Sequence, residues 1–168
     1  GGGSVIDSAK VLAVLAASDA SADEVLLQAD AALVRTPPPL VVVPTTSGTG
    51  SESTTAGLVK DADGRKRLMR SLRTRPRQIV LDPALTLSVP RGMTAATGFD
   101  VLMHALGALG TTIANPVGEA LAYEALARGM RHLPEAVENG QSLPARSEMM
   151  LASYLAGLAR RRNGCDAI

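Results

Sequence analysis

The sequence predicts an α/β fold followed by an all-α segment, and three observations carry that reading. Two short β-branched runs, Leu40-Val41-Val42-Val43 and Ile79-Val80-Leu81, both lie before residue 90. The first empties into Pro44-Thr45-Thr46-Ser47-Gly48-Thr49-Gly50-Ser51-Glu52. A loop of glycines and hydroxyls after a strand is where an α/β sheet binds phosphate or ribose. Beyond Pro90 the strand-like runs vanish, and Ala, Leu and Met fill Thr94 to Leu109, Pro116 to Leu133 and Leu143 to Ala159. The division is expected between Thr86 and Gly92, with residues 1–88 on one side and 89–168 on the other.

Composition narrows the function classes. The chain has 168 residues, enough for one sizeable domain or two small ones. Hydrophobic residues make up 46% and aromatics only 2%, so the core must be aliphatic. A net charge of +1 argues for neither nucleic acid nor membrane as a partner. The single cysteine, Cys165, cannot pair within the chain, which fits a reducing compartment and a cytoplasmic protein. No apolar run approaches the ~18 residues that span a bilayer. The Gly1-Gly2-Gly3-Ser4 start has no basic or apolar signal-peptide region.

In chain order, the glycine turn runs into Val5 to Leu15. Ser4 with Asp7 three residues on reads as a capping box, which places a helix start near Val5. Ile6, Ala9, Ala13 and Ala16 share one face at helical spacing. A glycine turn at a helix N-terminus can meet an anion such as a pyrophosphate with its N–H groups; a flexible tail is the alternative. Ser21 to Val34 reads as a second short helix, capped by Ser21 or Asp23. Leu40 to Val43 reads as a buried parallel strand. The loop after it lacks the Gly-x-x-x-x-Gly-Lys order, which excludes a Walker loop.

Arg65, Lys66, Arg67, Arg70, Arg73, Arg75 and Arg77 form a basic run with no acid among them. Such a run can grip phosphates, but it has no interleaved aromatics to stack on bases. A solvated, mobile hairpin is the plainer reading. Ile79 to Leu81 is a second strand, ended by Asp82-Pro83. In the helical part Pro116 suits the first helical position with Asn115 as cap. Asp100 and His104 stand four residues apart, one turn on a helix, so a carboxylate and an imidazole point the same way. The pair could supply half of a divalent-metal site or form a surface ion pair. His132, at a helix end, reads as a surface residue.

These motifs together resemble the iron-containing (group III) alcohol dehydrogenase family. The resemblance rests on Gly1-Gly2-Gly3-Ser4 with Asp7 and Lys10, Pro44 to Glu52, Leu81-Asp82-Pro83, Thr97-Gly98-Phe99-Asp100 with His104-Ala105, Asn115-Pro116, and Ala145-Arg146 with Glu148-Met149. It implies a partial Rossmann-like NAD(P)-binding domain, part of a helical metal-binding domain, and a cleft between them. Gly2, Gly3 and Ser4 would hold the cofactor pyrophosphate. Asp7 would lie near the nicotinamide side, and Thr45, Thr46 and Thr49 would line the cofactor, with Lys66 as the matching lysine. Asp100 and His104 would be metal ligands, for iron(II) ahead of zinc. The implied reaction moves hydride between a small alcohol or aldehyde and NAD or NADP, in a homo-oligomer at full length, with neither nucleic acid nor membrane as partner.

The chain departs from the family pattern at its end. The family's site takes two further histidines, the first from the helix after Leu155-Ala156-Gly157, yet this chain reads Arg160-Arg161-Arg162 there, a charged helix end, and has two histidines in all. Cys165 and Asp166 follow with no feature that marks them as ligands. The first cofactor-binding strands of the family, which precede the glycine turn, are absent too. The expectation is a piece of a longer dehydrogenase, inactive or weakly active alone. A non-catalytic remnant acting through subunit association is the alternative.

Overall fold

The helix after the glycine turn starts earlier than its side chains suggest. In the computed structural model, which describes residues 1–61, 63–112 and 115–162, α1 spans Gly3–Leu15 with extended Gly2 as its N-cap. No side chain caps it. The expected box between Ser4 and Asp7 does not form because Ser4 already lies in the first turn, and the Gly2 carbonyl accepts from Val5 and Ile6, each at 3.1 Å. The buried face also differs from the expected one. It runs through Ile6, Lys10, Ala13, Val14 and Ala17, while Ala16 is exposed. A lysine can hold a core position when its stem packs and its ammonium is fully hydrogen-bonded.

α2 (Ala22–Ala32) is capped by Ser21, whose hydroxyl accepts from the Glu24 N–H while Glu24 accepts from the Ser21 N–H at 2.8 Å. Its Val25 and Ala29 pack on Val11 and Val14. The two predicted strands pair in parallel as β1 (Val41–Val42) and β4 (Gln78–Ile79), with Val41 opposite Gln78 and Val42 opposite Ile79. Val41 is exposed rather than buried, since β4 is the neighbour of β1 among the described residues. Between them β2 (Ala56–Lys60) and β3 (Lys66–Arg70) form an antiparallel hairpin. The basic run therefore does occupy a hairpin arm, exposed along β3 except at Met69, which is buried against α1 and α2.

From residue 91 the described chain is helical. α3 (Arg91–Leu109) begins three residues before the expected Thr94. α4 (Pro116–Glu138) starts as predicted, with Asn115 Oδ1 accepting from the Gly118 N–H at 3.1 Å. It continues past Leu133 through Pro134, which has no N–H to give the preceding turn. Packing of Leu133 and Ala136 in the helical core outweighs that lost bond. α5 (Leu143–Arg162) completes the set. Val101, Ala105, Ala125, Ala145, Met149, Ala152 and Ala156 fill the space between these helices, so small residues let the backbones approach closely. Buried Arg146 on α5 donates to Thr94 Oγ1 at 2.8 Å, the Val89 carbonyl at 3.1 Å and the Gly140 carbonyl at 2.9 Å, which ties α5 to the start of α3. No described helix is long and apolar enough to cross a membrane. Cys165 and Asp166 lie outside the described residues.

Candidate functional site

The N-terminus of α1, the hydroxyl-rich loop, the β2–β3 hairpin, α3 and α5 enclose a cleft of about 820 Å³. Gly3, Ser4, Asp7, Thr49 and Lys66 of the expected cofactor set line it, and so do Asp100 and His104. Residues far apart in the chain thus face one space. Gly3 and Ser4 belong to the first turn of α1, where N–H groups lack intrahelical acceptors and the helix dipole favours an anion. Lys66 and its cross-strand partner Lys60 add positive charge from the hairpin wall. Gly2, Thr45 and Thr46 stand beside the cleft rather than on its wall. The Thr45 N–H donates to the Gly1 carbonyl at 3.1 Å, and Thr46 Oγ1 lies 3.4 Å from where a Cβ on Gly2 would stand.

A buried charge cluster holds this arrangement together. Lys10 is fully buried, and its Nζ donates to the Ser51 carbonyl at 2.6 Å, the Ala56 carbonyl at 2.7 Å and Thr54 Oγ1 at 2.9 Å. These bonds fasten the turn Ser51–Ser53 and the start of β2 to α1, and so fix the loop that carries Thr49. Asp7 Oδ1 lies 3.8 Å from Lys10 Nζ, and the Glu52 side chain is also buried nearby. Burial pushes both carboxyls above their ordinary values, and the Lys10 charge pulls them partly back. Lys10 and Glu52 were visible as motif residues, but their site role was not assigned from the sequence. The signal available was a lysine on the apolar face of an amphipathic helix.

On the opposite wall His104 Nε2 lies 3.3 Å from Asp100 Oδ1, with the imidazole more deeply placed than the carboxylate. Burial pushes the His104 pKa below its ordinary value, the Arg160 charge adds to that, and Asp100 opposes it. Carboxylate oxygen and imidazole nitrogen so close together suit two positions around one divalent ion. No group of three or more His, Cys, Asp or Glu residues placed for a metal occurs among the described residues. Arg160, expected to be part of a charged helix end, instead reaches into the cleft, with Nη1 2.8 Å from His104 Nε2.

Comparison with known proteins agrees with this architecture. The family profile described as iron-containing alcohol dehydrogenase matches residues 1–83, and the profile for the C-terminal part of the Fe-containing alcohol dehydrogenase family matches residues 94–165. A probable alcohol dehydrogenase, EutG, of Salmonella typhimurium is 42% identical over 161 residues, covering 95% of this chain and 40% of its own length. The crystal structure of sulfoacetaldehyde reductase from Bifidobacterium kashiwanohense in complex with NAD+ superposes with a TM-score of 0.87 at 32% identity, over 96% of this chain and 43% of that one. An iron-containing alcohol dehydrogenase from Thermotoga maritima gives 0.86 at 36% identity, again over 96% and 43%. The chain spans less than half the length of these relatives. With both of its parts matched in order, it belongs to the iron-containing alcohol dehydrogenase family.

Proposed function

We propose that the polypeptide carrying these residues is an alcohol dehydrogenase that moves hydride between a small alcohol or aldehyde and NAD or NADP. One observation carries this reading: the unpaired N–H edge of a glycine-capped helix and the Asp100–His104 pair face the same cleft. The bound NAD+ in the reductase of B. kashiwanohense supports a nicotinamide cofactor.

In this reading residues 1–88 hold the cofactor and residues 89–168 contribute to the metal. Gly2, Gly3 and Ser4 receive the pyrophosphate at the start of α1. Asp7, Thr45, Thr46, Thr49 and Lys66 surround the nicotinamide nucleotide and orient it. Asp100 and His104 are two of the ligands for a divalent ion, iron(II) ahead of zinc, with further ligands supplied from outside the described residues. Such an ion, when bound, acts as a Lewis acid that lowers the pKa of the alcohol. The neutral imidazole of His104, kept so by burial, is the form able to ligate. The enzyme works as a cytoplasmic homo-oligomer, and these 168 residues alone turn over weakly or not at all.

The test is metal content and NAD(P)-linked alcohol oxidation in the polypeptide carrying this sequence, compared with Asp100→Asn and His104→Asn. Each substitution is expected to lower metal retention by at least tenfold and to abolish turnover. Unchanged metal content and turnover in the double variant would end this assignment.

A further inference from the structure

We infer that Arg160 acts as a built-in cation at the Asp100–His104 pair and competes with a divalent metal for it. This rests on the reading of Asp100 and His104 as metal ligands, and extends it to a residue of the chain's own helix α5.

The chemistry of the contact leads there. A guanidinium only donates hydrogen bonds, so His104 Nε2, 2.8 Å from Arg160 Nη1, must accept. The Nε2 lone pair that would ligate a metal is thus already engaged by the guanidinium. Asp100 Oδ1, 3.3 Å from the same Nε2, is the other donor a metal would use. The Asp100 carboxylate and the Arg160 guanidinium, both beside His104 Nε2, already balance each other in charge. A doubly charged ion brought to the same donors would leave excess positive charge in a half-buried cleft, where like charges repel more strongly than in water. Asp7 is the other acid facing this space, and Lys10 already sits 3.8 Å from it. Arg160 must therefore swing out before an ion can settle, and its side chain, partly exposed on the cleft wall, has room to do so.

The experiment titrates cobalt(II), followed by its visible absorption and by calorimetry, into the polypeptide carrying this sequence. It compares the unsubstituted protein with Arg160→Met, Arg160→Lys and Arg160→Met/His104→Asn, each checked for an unchanged far-UV circular dichroism spectrum. Arg160→Met is expected to bind cobalt(II) at least tenfold more tightly. Arg160→Lys, which keeps the charge, should stay within about threefold of the unsubstituted protein. Adding His104→Asn should abolish the gain. Equal affinity with and without Arg160, lost on His104→Asn, would overturn the inference and leave the metal reading standing. A gain in Arg160→Lys as large as that in Arg160→Met would overturn it too. Absence of binding in every variant, with NAD+ still bound, would overturn both this inference and the metal assignment.

Discussion

Gly50 and Gly157 meet backbone to backbone. A Cβ on Gly50 would lie 2.9 Å from Gly157 Cα, and one on Gly157 would lie 2.8 Å from the Gly50 carbonyl oxygen. Gly50 also has φ +61, a conformation that disfavours a side chain. This contact seats α5 on the hydroxyl-rich loop, and Arg160 follows less than one turn later, beside His104. The hydroxyl-rich loop and the Asp100–His104 pair are thus aligned by two hydrogen atoms where methyl groups would not fit.

Gly157→Ala should therefore destabilise the protein by about 2 kcal/mol through overpacking against the Ser53 hydroxyl and the Gly50 backbone beside it, which cannot rotate away. Gly50→Ala should cost more, because strain at φ +61 adds to the same clash. Urea unfolding midpoints would decide it. A Gly157→Ala protein as stable as the parent would mean that α5 does not rest on Gly50.

Lys10→Met should lower stability by about 3 kcal/mol, since three acceptors on the 51–56 segment lose a charged donor. Methionine fills a similar volume, so most of the loss reflects unmet hydrogen bonds rather than a cavity. NAD+ affinity should fall with it, because Thr49 then loses its fixed position. Thermal melts and cofactor titration on the same samples would check both. A variant with normal stability and normal cofactor binding would refute the fastening role.

Much of this was legible because short-range rules dominate where they appear. Asn115 before Pro116 and the Ser21 cap each act within a few residues and form as read, while the two β-branched runs pair in parallel but as shorter strands, with Val41 exposed. The features that sequence reasoning missed depend on distant partners. Lys10 reads only as part of the glycine-turn motif until Ser51, Thr54 and Ala56 are brought to its ammonium. Arg160 reads as a charged helix end until α5 is laid across the loop and points it at His104. α1 starts early for a local reason that pattern reading does not weigh: glycine can serve as the cap with no side-chain bond at all.

Glu52 offers a pH test with a definite sign. Its carboxyl is buried and its folded-state pKa lies above the ordinary 4.5, chiefly through desolvation. Its contribution to stability is therefore full below about pH 4.5 and is lost as pH rises through the raised folded value. Glutamine at this position stays neutral throughout. Glu52→Gln should gain on the parent protein as pH rises toward 7 and converge to a constant offset at pH 4. His104, whose lowered pKa makes stability rise as pH climbs toward 6.5, contributes equally to both proteins and cancels in the difference. Urea midpoints from pH 4 to 8 would show it, and a difference independent of pH would contradict the buried-carboxylate account.

Gly3, at the start of α1, offers a test that separates the proposed cofactor binding from folding. A Cβ on Gly3 would come within 2.7 Å of Thr49 Cγ2 and 2.8 Å of Thr49 Oγ1, at the cleft wall. Alanine is also a better helix former than glycine, by up to about 1 kcal/mol, so the helix itself gains from the change. Gly3→Ala should thus leave the melting temperature level or raised, while NAD+ affinity falls about tenfold, or 1.4 kcal/mol, because Thr49 is pushed into the cofactor's path. Shortening the opposing residue tests the cause. Thr49→Ala removes the two atoms in closest contact, so the double variant Gly3→Ala/Thr49→Ala should bind NAD+ better than Gly3→Ala alone, although Thr49→Ala by itself weakens binding. A positive coupling in that cycle, measured by NADH fluorescence, would tie the glycine–threonine contact to the cofactor. Strict additivity would mean that Gly3 and Thr49 serve the cofactor separately, or not at all.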